Sequence, residues 1–188
     1  MQRRRVPADS SGSTVDHPRP CYDLPTVNQP AQIIWDALEF RMPAVLRVVE
    51  PLSEGELRWQ PPSGANSIGW LLWHIPEVED NWVRDRLLGL PRRFPFGKPV
   101  REALPTEYPE KAALLAYLRE VRDLSRDRLE RTTTDDLQGT VSDKTWGTIT
   151  VGQLWSGVAT SCAWHGGQIV LIANRLLPRM GAETKAPR

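Results

Sequence analysis

Apolar residues recur at helical spacing in four stretches of this chain, separated by proline-rich or polar connections and flanked by two ends without any such pattern. The first stretch begins near Asn28, a residue able to cap, with Pro30 tolerated in the opening turn. Ile34, Ala37, Leu38, Val45, Val48 and Val49 follow the helical period to about Pro51, so one helix is expected there, kinked at Pro43. The second starts at Ser67. Ile68, Leu71, Ile75, Val78 and Trp82 succeed one another at steps of three and four, with Pro76 inside and Gly89 and Pro91 at the end. Leu114, Tyr117, Leu118, Val121 and Leu124 predict a third helix over 109–131, whose opposite, solvated face carries Arg119, Arg122, Asp123, Arg126 and Asp127. The fourth has the clearest start signal: Thr150 and Gln153 make a capping box ahead of the stripe Val151, Leu154, Val158, His165, Ile169 and Ile172, and Pro178 ends it.

The connections differ in character. Residues 52–66 read as a loop punctuated by Pro61, Pro62 and Gly64. Residues 90–109 carry Pro91, Pro95, Pro99, Pro105 and Pro109, a long stiff link that suits a crossover between parallel neighbours better than a hairpin. Within 132–149, Thr140, Val141 and Trp146 to Ile149 can pair briefly as extended chain. Four amphipathic helices and one long crossover between the second and third predict an all-α four-helix bundle over residues 28–178. Residues 1–27 are rich in Arg, Pro, Ser and Asp and are expected to be a disordered or loosely packed arm, with residues 179–188 a C-terminal tail.

Composition narrows the function classes. At 188 residues, 40% of them hydrophobic, the chain supports one domain with a full core. Its formal net charge of +1 provides no field to recruit nucleic acid or an anionic membrane. No segment approaches 18 uninterrupted apolar residues, and the basic start MQRRRVPADSSGS has no apolar run behind it, so a cytoplasmic location is the default expectation. Cys21 and Cys162 do not form a disulfide framework, because the first lies in the expected arm. The eight tryptophans are spread over several segments and read as large interior anchors.

The chemistry concentrates on two histidines. His165 occupies the middle of the fourth helix's apolar stripe, and His74 lies at the edge of the second helix's core face. A buried imidazole needs a partner for each nitrogen, which a metal, a carboxylate or a backbone carbonyl can supply. Two histidines alone make a weak metal signal, since zinc sites use three or four protein ligands. Ser161 and Cys162 lie four and three residues before His165 and can reach the same side. Glu77, three residues after His74, is the one member of the acidic group Glu77, Glu79 and Asp80 expected to orient an imidazole; the others read as a solvated helix face. Cys162 has no basic neighbour in the sequence and reads as an inert buried thiol. Gly166 and Gly167, costly inside a helix, imply close helix packing or room for a ligand.

Two stretches carry a resemblance. SGANSIGWLLWHIPEVEDNWVRDRL, and later TWGTITVGQLWSGVATSCAWHGGQIVLIANRL, are similar to the DinB superfamily, which includes YfiT-like metalloenzymes and thiol-dependent transferases. The marks are a His after a Ser-Ile-x-x-Leu-Leu helix start, and a final helix with His-x-Gly-Gln behind a capped Thr-Val-Gly-Gln-Leu start; the likeness covers about residues 29–177. It implies an up-down-down-up four-helix bundle, a homodimer, and a divalent metal such as Zn or Ni held by three histidines. The helix-two ligand maps onto His74 and the last ligand onto His165. The remaining position maps onto Ser161, a poor ligand for Zn or Ni, so the implied set is incomplete. By resemblance the activity would be transfer of a low-molecular-weight thiol (bacillithiol or mycothiol) to an electrophilic substrate, or metal-dependent hydrolysis, with Glu77, Ser161 and Cys162 as pocket residues. The alternative is a non-catalytic stress-response or binding protein with a degenerate metal site.

Overall fold

The expected first helix is two helices. A computed structural model of the chain describes residues 29–177; the expected arm with Cys21 and its arginine run, Asn28, Pro178 and the C-terminal tail lie outside the described residues. α1 spans Gln29–Glu39 and α2 Met42–Val49, and Pro43 sits in the first turn of α2 rather than inside one kinked helix. The reason is local: proline has no N–H to donate and its ring collides with the carbonyl four residues back, both harmless at a helix start. The stretch expected as loop over 52–66 contains a further short helix, α3 (Glu54–Arg58), begun by a reciprocal capping box between Ser53 and Glu56.

α4 (Ile68–Asp80) starts where the sequence places it, with the Ser67 hydroxyl accepting the Trp70 N–H at 3.1 Å. Beyond Asp80 its backbone widens to five-residue pairing over Asn81–Leu87, with the Leu88 N–H donating to the Val83 carbonyl, and Gly89 at φ +65° turns the chain away. The crossover is not structureless. It contains 3₁₀ turns at Val100–Glu102 and Pro105–Glu107, and Val100 is buried. α5 (Lys111–Glu130) and the short α6 (Thr134–Gln138) follow. The expected extended pairing is present as a hairpin, β1 (Thr140–Asp143) antiparallel to β2 (Gly147–Thr150), with Thr140 opposite Thr150. α7 (Val151–Leu171) opens on the expected Thr150–Gln153 box.

The fold is all-α apart from that hairpin. α7 packs against α1, α2, α4 and the hairpin, and α4 lies between α5 and α7. α4 and α7 run antiparallel, because His74 meets His165 while Trp82 meets Gly157 eight residues earlier. Leu71 and Trp73 of α4 and Leu154, Trp155, Val158 and Ile169 of α7 are all buried in the core. Trp73 and Trp155 are the interior anchors expected of tryptophan, but Trp146 and Trp164 are not: 53% and 69% of their surfaces are exposed. Three further expectations fail on burial. Arg122, Glu79 and Asp80, read as solvated, are all buried, and they enter polar networks described below. No helix among the described residues is long and apolar enough to cross a membrane.

Candidate functional site

α4 and α7 bring His74 and His165 together edge to face, with ring centroids 4.8 Å apart and planes at 86°. Position alone explains the meeting: each lies on the face its helix turns toward the other, and the antiparallel register sets them opposite. Trp70, one turn before His74, stacks on that ring at 4.4 Å and 25°. Burial, with a smaller contribution from the neighbouring imidazole, pulls the pKa of His74 down from 6.5 to about 4. His74 is therefore neutral at pH 7 and carries a free lone pair. The Nδ1 of His165 is 3.0 Å from the Gln168 Oε1. An amide oxygen only accepts, so Nδ1 is the donor in this contact and Nε2 takes no part in it.

Of the other sequence candidates, neither Glu77 nor Cys162 joins the imidazoles in a three-ligand group. Ser161, one turn before His165, lines a cleft with Trp82, Trp146, Ser156, Gly157, Thr160 and Trp164. Glu77 does not orient an imidazole: its carboxylate accepts the Val100 N–H at 2.8 Å and ties the crossover to α4. Cys162 has the basic neighbour the sequence did not reveal. The Arg122 Nη2 donates to its Sγ at 2.6 Å, yet burial outweighs that cation and raises the thiol to about 11, so it stays protonated. Gly166 is a packing glycine, where a Cβ would come within 3.0 Å of Val45 Cγ2, whereas Gly167 faces open space.

A second polar cluster lies inside the helices. Arg122 of α5 is ion-paired with Glu79 of α4 at 3.3 Å and with Glu39 of α1 at 3.6 Å. The Ser125 hydroxyl donates to Glu79 at 2.6 Å. Burial pushes the Glu79 carboxyl above its usual range, and Arg122 and Ser125 oppose that rise. Asp80, next along, accepts from the Arg93 Nε at 2.9 Å and so holds the start of the crossover. Together these contacts pin four helices, α1, α4, α5 and α7, and one connection, with the Cys162 thiol as one of their termini.

Gln168, Trp70 and Arg122 are the contributors that residue-by-residue reading missed. Gln168 was visible as the last residue of His-x-Gly-Gln, three residues after His165, the spacing of side chains that touch on a helix. Arg122 carried no signal, because Arg119 and Arg126 look the same in sequence.

The donor chemistry decides which ion the site fits. Two imidazole nitrogens at about 2.0–2.1 Å from one tetrahedral ion set their ring centroids roughly 5 Å apart. The observed 4.8 Å is compatible with that separation and is also the spacing of a plain edge-to-face ring contact. A ligating histidine ordinarily donates its other N–H to an oxygen, as His165 does to Gln168. Against this, no group of three or more His, Cys, Asp or Glu side chains among the described residues can share an ion. Among the described residues the histidine pair by itself therefore falls short of the three or four protein ligands of a closed structural site.

A search of curated proteins found no match. Among solved structures, this chain is similar to a conserved protein from Enterococcus faecalis, with 19% identity, 78% of this chain and 96% of that one covered, and a TM-score of 0.59, a likeness of fold. The family model of the DinB superfamily matches residues 37–169, which hold both histidines, the capped start of α7 and the His-x-Gly-Gln segment. The chain belongs to the DinB superfamily.

Proposed function

We propose that this protein is a metal-dependent DinB-fold enzyme in which His74 and His165 hold a divalent cation loosely, leaving coordination positions for an exogenous ligand. The observation that carries this reading is the convergence of two imidazoles, one kept neutral by burial and the other oriented by Gln168. A divalent ion lowers the pKa of a thiol or water bound to it, which suits transfer of a low-molecular-weight thiol to an electrophile, or hydrolysis. Trp70 braces His74 from one side, and Gln168 keeps the Nε2 lone pair of His165 available. Burial keeps the Cys162 thiol protonated despite Arg122 and makes it a poor nucleophile, which supports a reacting sulfur or oxygen supplied by a bound small molecule or water.

A second reading, a binding protein that keeps the fold and not the chemistry, is favoured by one observation: Ser161 stands at the third ligand position. Metal titration of tag-free, chelator-treated protein against a competing chromophoric chelator separates the two. The enzyme reading expects one Zn or Ni per chain, loss of it in His74→Ala and in His165→Ala, and affinity at least about tenfold higher in Ser161→His. No binding by the natural chain, together with none by Ser161→His, rejects that reading and leaves the second.

A further inference from the structure

The α4–α7 seam carries a second feature that the histidine pair does not use. Beyond Ser161, away from the imidazoles, a cleft of about 450 Å³ opens between Trp82, Trp146 and Trp164, with the hydroxyl residues Ser156, Thr160 and Ser161 along α7. Three of the eight tryptophans meet there, and two of them are more than half exposed. Large indole surfaces left in water are costly to hydrate, and a cleft of this size falls within the range of small-molecule sites, roughly 300–1,000 Å³.

The cleft is built rather than accidental. Trp82 and Trp146 hold each other edge to face, centroids 4.7 Å apart at 84°. Trp82 lies against α7 only because residue 157 is glycine: a Cβ there would sit 2.2 Å from the Trp82 ring, and 3.4 Å from that of Trp146. Trp146 is fixed by its turn, where the buried Asp143 Oδ1 accepts the N–H groups of Thr145 and Trp146 at 2.7 and 2.8 Å. Arg86 ties the two indoles to one another: it forms an ion pair with Asp143 while its guanidinium covers the Trp82 ring at 5.1 Å. That places Trp82 in the widened part of the helix after Asp80, in a geometry often found at functional sites.

The charges select the ligand class. Among the described residues no carboxylate lines the cleft to compensate a cation, and the Arg86 guanidinium already occupies the face of Trp82. That guanidinium is in turn paired with Asp143, and none of the lining residues carries a positive charge to attract an anion. Flat indole walls and a row of hydroxyls remain. We infer that the Trp82–Trp146–Trp164 cleft binds a flat, uncharged aromatic molecule, stacked on indole and hydrogen-bonded through a polar substituent to the hydroxyls of α7. The inference goes beyond the reading of the histidine pair and touches it only at Ser161, a residue of the cleft wall one turn from His165.

The test is titration with N-phenyl-1-naphthylamine, an uncharged aromatic whose emission rises on leaving water, in the presence of EDTA so that no metal contributes. Saturable binding is expected. It should weaken at least about tenfold in Trp164→Ala, a surface position whose loss leaves the core intact, and be largely kept in Trp164→Phe. Gly157→Val, which fills the cleft from its floor, should also abolish it. The inference is overturned by unchanged binding in both Trp164→Ala and Gly157→Val. Tighter binding of benzyltrimethylammonium or of an anionic naphthalene sulfonate than of the neutral probe would also overturn it. So would sedimentation showing the cleft closed by a second copy, in a dimer that Trp164→Ala dissociates. Probe binding that survives EDTA while metal titration fails upholds the cleft and removes only the metal reading; the reverse result does the opposite.

Discussion

Replacing Arg122 by Met isolates the buried ionic cluster that joins α1, α4, α5 and α7. Methionine keeps most of the aliphatic stem, so the packing of α5 changes little, but Glu79, only 1% exposed, is left with Ser125 as its one polar partner. A carboxylate in that position must either stay charged without its cation or take up a proton. Breaking a buried pair on one side typically costs about 3–5 kcal/mol. The second route caps the cost and makes it depend on pH. Keeping protonated a carboxyl whose ordinary pKa is 4.5 costs about 5 kcal/mol at pH 8, and about 1 kcal/mol at pH 5. The sign follows from linkage. In the variant the folded-state pKa of Glu79 rises above the unfolded value, so the folded state holds the extra proton and stability falls as pH rises beyond about 4.5.

Urea unfolding followed by far-ultraviolet circular dichroism, at pH 5 and pH 8, measures both arms. The variant should lose roughly 3–5 kcal/mol relative to the natural chain at pH 8, which for a domain of this size lowers Tm by about 6–20 °C. At pH 5 the deficit should shrink to about 1–2 kcal/mol. Adding Glu79→Gln to Arg122→Met should recover most of the pH 8 loss, because the amide can still accept from Ser125 and carries no charge. Equal deficits at both pH values, or a double variant no more stable than Arg122→Met alone, would falsify the claim that an uncompensated Glu79 carries the effect.

Three further outcomes are expected. Burial holds His74 at about 4 against 6.5 when unfolded, so the unfolded chain binds the extra proton between those values and stability should decline as pH falls from 6.5 toward 4. Solvent screening of the half-buried ring reduces the effect to about 1–2 kcal/mol, and His74→Phe should flatten that limb of the pH–stability curve; an unaltered limb would refute the assignment. Gly157→Ala should displace Trp82, cost about 1–3 kcal/mol and remove the near-ultraviolet dichroism of the Trp82–Trp146 pair, and an unchanged spectrum counts against the close contact. Glu77→Ala should release the Val100 N–H, cost about 1 kcal/mol and speed proteolytic cutting within residues 90–109, and cleavage at the natural rate would show that Glu77 does not anchor the crossover.

Much of this protein was readable without coordinates because the signals were local. The starts of α4 and α7 were set by Ser67 and by the Thr150–Gln153 pair, whose hydroxyls satisfy N–H groups within three residues. The core stripes of α4, α5 and α7 followed from periodicity, and the hairpin from its extended-chain residues flanking a turn. The break before Pro43 was misread as a kink, since sequence names the residue that cannot continue a helix but not whether the chain restarts after it. Pairing His74 with His165 was legible from two polar residues on apolar faces together with the family resemblance. Their 4.8 Å separation, the bracing by Trp70 and the hydrogen bond to Gln168 required the helices to be set side by side.

By itself, then, the chain's order of residues determined the helical class, where the main helices begin, and which two imidazoles face inward, because each depends on neighbours within one or two helical turns. Tertiary structure alone decided the identity of Arg122 as the buried cation among three similar arginines, the diversion of Glu77 to the crossover, and the meeting of Trp82, Trp146 and Trp164 around Gly157. Those partners are 23 or more residues apart along the chain or lie on different elements, with Trp82 and Trp146 brought together only when the hairpin folds back on α4. Whether a charge ends in water or against a thiol depends on which helix covers it, and no local spacing encodes that.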